Sequence, residues 1–240
     1  MSRNQIGAGP IPSSERTSHV AVEGGATVSS LILDCEAAHA LLILAHGAGA
    51  GMRHPFMESL ARRLAGRGIV TLRYQFPYME AGVGRPDPPA RLVATVEAAV
   101  AAGRREFPDL PLFAGGKSLG GRMTSTAASQ GLLHDVAGIV FFGFPLHAPG
   151  QPGAGRAEHL QRVDCPMLFL QGDRDTLADL TKLRPVCDQL GARAELHVID
   201  DGDHSFHVRK RSGRDDEQVL DELAQRTDAW MRGVVDRTAS

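Results

Sequence analysis

Short apolar runs alternate along the chain with longer stretches in which apolar residues recur at helical spacing. Residues 41–45 form a continuous apolar run, which is typical of a strand buried on both faces. Within residues 55–64, Phe56, Leu60 and Leu64 share one helical face and indicate an amphipathic helix. The same criteria predict strands at residues 20–22, 28–33, 69–72, 112–114, 139–142, 167–170 and 194–198. They predict further helices at residues 91–102, 119–130 and 216–235.

This alternation predicts an α/β fold, a three-layer α/β/α sandwich with a mostly parallel central sheet. Ligands of such sheets bind at the carboxyl ends of the strands, so motifs that follow strands are the candidates for function. Residues 1–15 hold prolines, glycines and serines without periodicity, and we expect a flexible tail there. Residues 16–240 are expected to form one domain.

Composition and charge exclude several classes of function. The 240 residues carry 26 Lys and Arg against 28 Asp and Glu, and this balance argues against a nucleic-acid partner. No apolar run approaches the roughly 20 residues that cross a membrane, and the first residues lack the apolar segment of a secretory signal. Cys35, Cys165 and Cys187 are widely spaced without metal-binding spacing, so we expect free thiols, no metal and a cytoplasmic location.

The strongest chemical signal follows the predicted strand at residues 112–114. Gly116, Ser118 and Gly120 form the pattern G-x-S-x-G where the next helix begins. This is the pattern of a nucleophile elbow, in which serine occupies a tight bend and flanking β-carbons would collide with neighbouring elements. A phosphate-binding loop would need glycine at the position of Pro111, which argues against that alternative. For the motif taken alone, a glycine-rich turn without chemistry is the simpler alternative.

A serine nucleophile needs a base that accepts its proton, and the base needs an acid that orients it. The strand at residues 167–170 is followed by Asp175, and the strand at residues 194–198 is followed by His204. The chain order Ser118, Asp175, His204 is the order that elbow-type hydrolases use. We prefer His204 to His207, which lies three residues further on.

Small residues also follow the strand at residues 41–45, in a segment that we call the oxyanion loop, residues 45–51. Backbone N–H groups in such a loop can point into the site, and we predict an oxyanion hole formed by the N–H groups of Ala48 and Leu119. The alternative is a flexible loop of glycine and alanine without that role.

We assign four residues to substrate binding: His46, Gly47, Tyr78 and Lys117. His46 is also expected to pack against the oxyanion loop and orient it. Tyr78 belongs to residues 75–89, which are expected to form one wall of a shallow cleft. Lys117 has two interpretations: its charge stabilises an anionic substrate or the oxyanion, or its side chain turns away and pairs with a carboxylate elsewhere.

Together these motifs resemble the α/β-hydrolase superfamily. The elbow at residues 116–120, the segment from Gly172 to Asp175 and residues 203–206 match its three catalytic blocks in order, and the resemblance covers about residues 40–235. It implies an eight-stranded, mostly parallel sheet. In the superfamily the acid lies three residues after the glycine, which selects Asp175 rather than Asp173.

More narrowly, residues 46–49, 76–78, 116–122 and 145–147 are similar to a small lidless branch near the dienelactone hydrolases. The resemblance implies hydrolase activity, although some animal relatives act within a chromatin acetyltransferase complex. Dienelactone hydrolases proper use cysteine as the nucleophile, and this chain departs from them with Ser118.

The expected function is that of a serine hydrolase which cleaves a small ester, thioester or related acyl bond through an acyl-enzyme, without a cofactor. A non-catalytic scaffold of the same fold is the alternative, and its signature would be a lost triad residue, which the sequence does not show. Residues 143–164 are rich in proline and glycine, so we expect one short helix near residues 156–162 and no cap domain.

Overall fold

The central element is an eight-stranded sheet. The structure is a computed structural model that describes residues 12–151 and 153–238. The strands are β1 (Pro12–Val22), β2 (Ala26–Cys35), β3 (Ala40–Ala45), β4 (Ile69–Tyr74), β5 (Leu112–Lys117), β6 (Gly138–Phe142), β7 (Met167–Gly172) and β8 (Ala194–Ile199). Their order across the sheet is β1-β2-β4-β3-β5-β6-β7-β8. Because β2 pairs antiparallel with β1 and β4 while the other neighbours are parallel, the predicted mostly parallel sheet of eight strands is confirmed.

Helices cover both faces of this sheet, as the three-layer prediction requires. They are α1 (Pro55–Ala65), α2 (Pro77–Glu80), α3 (Pro89–Glu106), α4 (Leu119–Ser129), α5 (Leu180–Leu190) and α6 (Asp216–Thr238). Short 3₁₀ helices lie at Gly155–Arg162, Gly191–Arg193 and Lys210–Ser212. Helix α6 and most of the buried face of α1 contribute to one hydrophobic cluster, whereas α3, α4 and α5 contribute to the other, together with Ala61 and Ala65 of α1.

Strand β3 shows why a central strand reads as an uninterrupted apolar run. Leu41 and Ile43 enter the cluster that contains α3 and α4, whereas Leu42 and Leu44 enter the cluster that contains α1 and α6. All four side chains are at most 1% exposed. Neither face of the strand contacts water, so polar alternation would leave polar groups buried without partners.

The edge strand β1 corrects the predicted tail. Residues 1–11 of that tail lie outside the described residues, but β1 begins at Pro12, so residues 12–15 belong to the sheet. Strand β1 pairs along one side only, with β2. It buries Val20 and Val22 but exposes Glu15 and Thr17. An edge strand of this kind is held by backbone hydrogen bonds and carries little apolar periodicity, which hid its first half from the sequence pattern.

Helices α2 and α5 were not predicted, whereas the short helix expected near residues 156–162 is present as a 3₁₀ helix. Helix α5 buries Leu183, Cys187 and Leu190, and the side chain of Asp179 caps its first turn. Pro185 lies inside α5, where it lacks an N–H for the helical hydrogen bond and obscures the helical pattern. Helix α2 has only four residues, too few to show a period.

The parallel pairing of β3, β5, β6, β7 and β8 brings the carboxyl ends of these strands to one edge of the sheet. Segments that follow β3, β5, β7 and β8 therefore meet there. Except for Tyr78, which follows β4, the candidate residues lie at the ends of these strands or just after them.

Candidate active site

Ser118 lies in the tight turn between β5 and α4. Its backbone has φ 50° and ψ −113°, a strained conformation for a residue with a side chain. A Cβ on Gly116 would lie 2.5 Å from the carbonyl oxygen of Ala45, and one on Gly120 would lie 2.6 Å from the same oxygen. Both glycines are therefore needed for the close approach of β5 and α4 to β3, which is the physical reason for the spacing of the motif.

His204 joins the turn to the carboxylate of Asp175. Its Nε2 atom lies 2.9 Å from Ser118 Oγ, and its Nδ1 atom lies 2.7 Å from Asp175 Oδ2. An ionised carboxylate only accepts hydrogen bonds, so Nδ1 donates its proton and leaves Nε2 free to accept from the serine hydroxyl. His207 instead bonds Asp216 through Nδ1 at 2.6 Å, and its side chain is 67% exposed. The structure thus brings together Ser118, His204 and Asp175.

Asp175 is buried and tightly held, whereas Asp173 is exposed. Asp175 Oδ1 accepts the N–H of Leu177 at 2.7 Å, and Oδ2 accepts from Gln171 Nε2 at 2.5 Å. Gln171 is itself oriented by the N–H of Phe144, which donates to its Oε1 at 2.9 Å. Gln171 was not singled out from the sequence. Its signal was a polar side chain near the end of an otherwise apolar strand, four residues before the acid.

The oxyanion loop reaches the serine through Gly47. A Cβ added to Gly47 would lie 3.8 Å from Ser118 Cβ, so the loop and the elbow are in contact. Leu119 begins α4 on the other side of the serine, and Ala48 is exposed beside Gly47. Among the described residues, neither the Ala48 N–H nor the Leu119 N–H donates a hydrogen bond. Two unpaired amides beside a nucleophile can stabilise negative charge on an attacked carbonyl oxygen.

The structure corrects the assignment of His46 and Tyr78 to substrate binding. His46 is 0% exposed and Tyr78 is 3% exposed, so neither side chain contacts a substrate in the cleft. His46 Nδ1 donates to the Gly47 carbonyl at 2.8 Å, and its Nε2 accepts the N–H of Phe76 at 3.0 Å. The Tyr78 hydroxyl donates to the Ala48 carbonyl at 2.9 Å. Both side chains instead support the oxyanion loop from beneath, which is the packing role expected for His46.

Burial keeps both supports uncharged. Desolvation lowers the pKa of His46 to about 4, although the hydrogen bond to the Gly47 carbonyl opposes this change. Desolvation, together with the charge of Asp87, raises the pKa of Tyr78 to about 12. The oxyanion loop therefore rests on neutral groups over the whole range between these values.

The side chain of Lys117 lines the cleft beside Ser118, and its ammonium group bonds the backbone of the candidate base. Its Nζ atom donates to the carbonyl oxygen of His204 and lies 5.3 Å from the ring centroid of Phe206. In the part of the chain that the structure describes, no carboxylate lies within ion-pair distance of Lys117. Neither of the two interpretations of Lys117 anticipated a bond to the backbone of the candidate base.

A cleft of about 620 Å³ opens beside Ser118. Its wall includes Ala48, Phe56, Leu177, His204, Phe206 and Leu220. Phe56 and Phe206 stack with their ring centroids 5.8 Å apart and connect α1 to the segment that carries the histidine. Another depression, of about 690 Å³, lies at residues 77–91, and its lining includes four prolines but no serine or cysteine. The cleft beside Ser118 contains the candidate nucleophile and base, so it is the candidate active site.

The alpha/beta hydrolase domain family model matches residues 38–232, most of the chain. The chain belongs to this family. The match includes all three residues of the candidate triad as well as the oxyanion loop, and it confirms the superfamily to which the sequence motifs pointed.

Solved structures show the same α/β-hydrolase fold. An alpha-beta serine hydrolase homologue from Coxiella burnetii is 19% identical, with a TM-score of 0.71, over 88% of this chain and 96% of that chain. Dienelactone hydrolase from Anabaena variabilis is 20% identical, with a TM-score of 0.72, over 93% and 98%. A lidless serine hydrolase from Xanthomonas campestris is 20% identical, with a TM-score of 0.69, over 90% and 95%. At these identities the likeness concerns the fold.

Within residues 12–151 and 153–238, no helix has both the length and the apolar character needed to span a bilayer. The same residues contain no group of three or more His, Cys, Asp or Glu side chains placed to bind a metal ion.

Proposed function

We propose that this α/β hydrolase is a serine hydrolase that cleaves small esters, thioesters or related acyl bonds through an acyl-enzyme. The observation that carries the proposal is the hydrogen-bonded series from Ser118 to His204 at 2.9 Å and from His204 to Asp175 at 2.7 Å. These distances lie within the range over which a general base removes a proton from a nucleophile.

In the first step Ser118 Oγ forms a bond to the substrate carbonyl carbon while its proton passes to His204 Nε2. The carbonyl π electrons move to oxygen, and Asp175 stabilises the imidazolium that results. When the tetrahedral intermediate collapses, the bond to the leaving group breaks and His204 donates the proton to the departing alcohol or thiol. Water then repeats the sequence on the acyl-enzyme, with His204 as base, and releases the acid.

The negative charge on the attacked oxygen would be stabilised by the N–H groups of Ala48 and Leu119. Their lack of other hydrogen-bond acceptors among the described residues supports this role. The Leu119 amide also lies at the N-terminus of α4, where the helix dipole favours negative charge. The loss of one such donor typically costs about 3 kcal/mol of transition-state stabilisation.

A small acyl substrate suits an open site, and we propose a single domain without a cap. Between β6 and β7, the described residues form only one helical segment, the 3₁₀ helix Gly155–Arg162. Phe56, Leu177 and Leu220 give the cleft apolar surface for an acyl group beside the nucleophile.

The proposal is tested by labelling with a fluorophosphonate and by hydrolysis of p-nitrophenyl acetate. We expect the wild-type protein to gain the mass of one phosphonyl group, located by peptide mapping at Ser118. Ser118→Ala should not label and should lose activity by about 1,000-fold or more, because the members of a triad act as a unit. Its circular dichroism spectrum and unfolding temperature should resemble those of the wild type.

The controls separate an enzyme from a scaffold. A folded wild-type protein that neither labels nor hydrolyses the ester would favour the non-catalytic scaffold. Label at another residue, or a Ser118→Ala variant that keeps most of its activity, would refute the triad.

A further inference from the structure

Lys117 connects the strand of the nucleophile directly to the backbone of the histidine. It is the last residue of β5, and its Nζ donates to the His204 carbonyl. The stem of the side chain passes the oxyanion loop, since a Cβ on Gly47 would lie 3.6 Å from Lys117 Cγ. The side chain of one residue therefore contacts both loops that flank Ser118.

The ammonium group is closely surrounded. Gly143, at the end of β6, has φ +74°, and a Cβ there would lie 3.0 Å from Lys117 Nζ, 3.4 Å from the His204 carbonyl oxygen and 3.6 Å from Asp175 Oδ2. The ring of Phe206 adds a cation–π contact at 5.3 Å. A glycine at position 143 thus leaves the space in which the ammonium meets the histidine backbone beside the acid.

The segment that carries the histidine, which we call the histidine loop, residues 200–208, needs such an anchor. Phe206 has φ +67°, a conformation that a bulky residue rarely adopts unless surrounding contacts hold it. His204 must also satisfy two hydrogen bonds at once, one at each ring nitrogen. An error of about 1 Å in such an alignment costs roughly 100-fold in rate.

We propose that Lys117 is a positioning residue, which holds the backbone of His204 from the nucleophile's own strand and so keeps the imidazole aligned between Ser118 and Asp175. The effect of Lys117 on turnover rests on the proposed hydrolase function, but its effect on the geometry of His204 does not. In this role the ammonium acts through the histidine and does not contact the substrate.

The charge of the ammonium group makes its bond to His204 depend on pH. The titratable groups that face the ammonium are Asp175, Asp203 and His204. Burial lowers the pKa of Lys117 to about 8, although the charges of Asp175 and Asp203 oppose this change. A charged donor forms a stronger hydrogen bond to a carbonyl than a neutral amine does. The hydrogen bond from Lys117 to the His204 carbonyl is therefore strongest below pH 8. The kcat of the wild type should fall as the pH rises through that value.

The first measurement reports on geometry without requiring turnover. The His204 Nδ1 proton, bonded to Asp175, should give a low-field proton NMR signal that is lost in Asp175→Asn. In Lys117→Met, which keeps the length of the side chain but removes the donor, this signal should broaden or disappear at pH 7. Lys210→Met is the matched control, because Lys210 is exposed and lies outside the site. It should leave the signal unchanged.

The second measurement is the pH profile of p-nitrophenyl acetate hydrolysis. Loss of a charge-assisted hydrogen bond predicts a fall in kcat of about tenfold to a hundredfold for Lys117→Met at pH 7, with KM within about threefold. The fall in wild-type kcat near pH 8 should vanish in this variant. Lys117→Arg keeps a charge up to about pH 12, so it should retain more activity than Lys117→Met and also lack that fall.

The two proposals fail in different ways. An unchanged low-field signal in Lys117→Met, together with unchanged kcat and an unchanged pH profile, would refute the role of Lys117 even if Ser118 labels as expected. A wild-type protein that does not label would refute the hydrolase. The NMR signal would then still decide whether Lys117 positions His204.

Discussion

The two loops that flank Ser118 are held by different kinds of chemistry. The oxyanion loop rests on uncharged groups: the ring of His46 bonds the backbones of Gly47 and Phe76, and the Tyr78 hydroxyl bonds the carbonyl of Ala48. These contacts are buried and involve neutral donors and acceptors. Hydrogen bonds of this kind keep their geometry as long as the groups stay neutral.

The histidine loop rests on charged groups instead. The Lys117 ammonium donates to the His204 carbonyl, and Asp203 Oδ1 accepts the N–H groups of Ser205 and His207 at 2.8 and 3.0 Å. Further contacts at the base of the loop are ion pairs of Asp201 with Arg174 and Arg209.

This difference separates the two loops in their response to pH. The neutral supports titrate far from neutrality, with a pKa of about 4 for His46 and about 12 for Tyr78. Burial lowers the pKa of Lys117 to about 8, much closer to neutrality. The supports of the oxyanion loop therefore keep their charge state between about pH 4 and pH 12, whereas the Lys117 support of the histidine loop changes its charge near pH 8.

The largest expected effect comes from Asp175, the carboxylate that bonds His204 in the histidine loop. Asp175→Asn replaces the acceptor at Oδ2 with an amide that can donate, which favours the wrong tautomer of His204. In a serine triad this kind of change lowers kcat by about 10,000-fold, and we expect a loss of at least about 1,000-fold in ester hydrolysis.

Asp173→Asn is the matched control, because Asp173 is exposed on the same segment. It should change kcat less than about threefold, as surface substitutions usually have small effects. If Asp173→Asn proved the more damaging of the two, the acid would be wrongly assigned.

The positions of the central strands along the chain, and the residues that follow them, could be predicted from the sequence, because both depend on local pattern. Central strands such as β3 are buried on both faces, so their sequences are continuous apolar runs. The residues that follow parallel strands must meet at one edge of the sheet. On this basis the sequence predicted that Ser118, Asp175 and His204 lie close together, and hydrogen bonds join their side chains in the structure. The steric need for Gly116 and Gly120 also followed from the motif.

The directions of the supporting side chains could not be predicted in the same way. His46 and Tyr78 lie next to the site in sequence, but their side chains are buried beneath the oxyanion loop, and the Lys117 ammonium bonds the backbone of His204. That direction depends on contacts with distant residues, such as Phe76 for His46 and His204 for Lys117. The pattern of apolar and polar residues does not predict such contacts. Gln171 was missed for the same reason, because its role depends on contacts with Phe144 and Asp175.

The next largest expected effect is a change in the stability of the protein with pH, and it tests whether His46 is a neutral, buried support of the oxyanion loop. The pKa of His46 is about 4 in the folded protein and about 6.5 in an unfolded chain. The unfolded chain therefore binds the proton more tightly, so the stability that His46 contributes is complete above pH 6.5 and is lost as the pH falls toward 4. The free energy of unfolding should decrease over this range by on the order of 3 kcal/mol from His46.

Urea unfolding at pH 7, 5.5 and 4 measures this decrease. His159, whose pKa burial also lowers to about 4, adds to it in the same direction. His46→Gln should therefore reduce the pH dependence without abolishing it, whereas His19→Gln, on the exposed side of β1, should leave it unchanged. An unaltered pH dependence in His46→Gln would contradict the assignment of a neutral, buried support.

The smallest expected effect isolates a single neutral hydrogen bond. Tyr78→Phe removes only the hydroxyl that donates to the Ala48 carbonyl, while its ring still packs on Phe76. A hydrogen bond of this kind is worth about 1 kcal/mol, which corresponds to roughly a fivefold loss in kcat if the whole of it is lost from stabilisation of the transition state.

Tyr74→Phe is the ideal control, because the buried Tyr74 hydroxyl has no hydrogen-bond partner among the described residues. Its removal should leave both kcat and stability at least as high as in the wild type. Because neither tyrosine ionises below about pH 12 when buried here, the ratio of wild-type to Tyr78→Phe activity should stay constant from pH 6 to pH 9. A ratio that changed across this range would mean that the two loops are coupled, and the contrast between a neutral and a charged support would not hold.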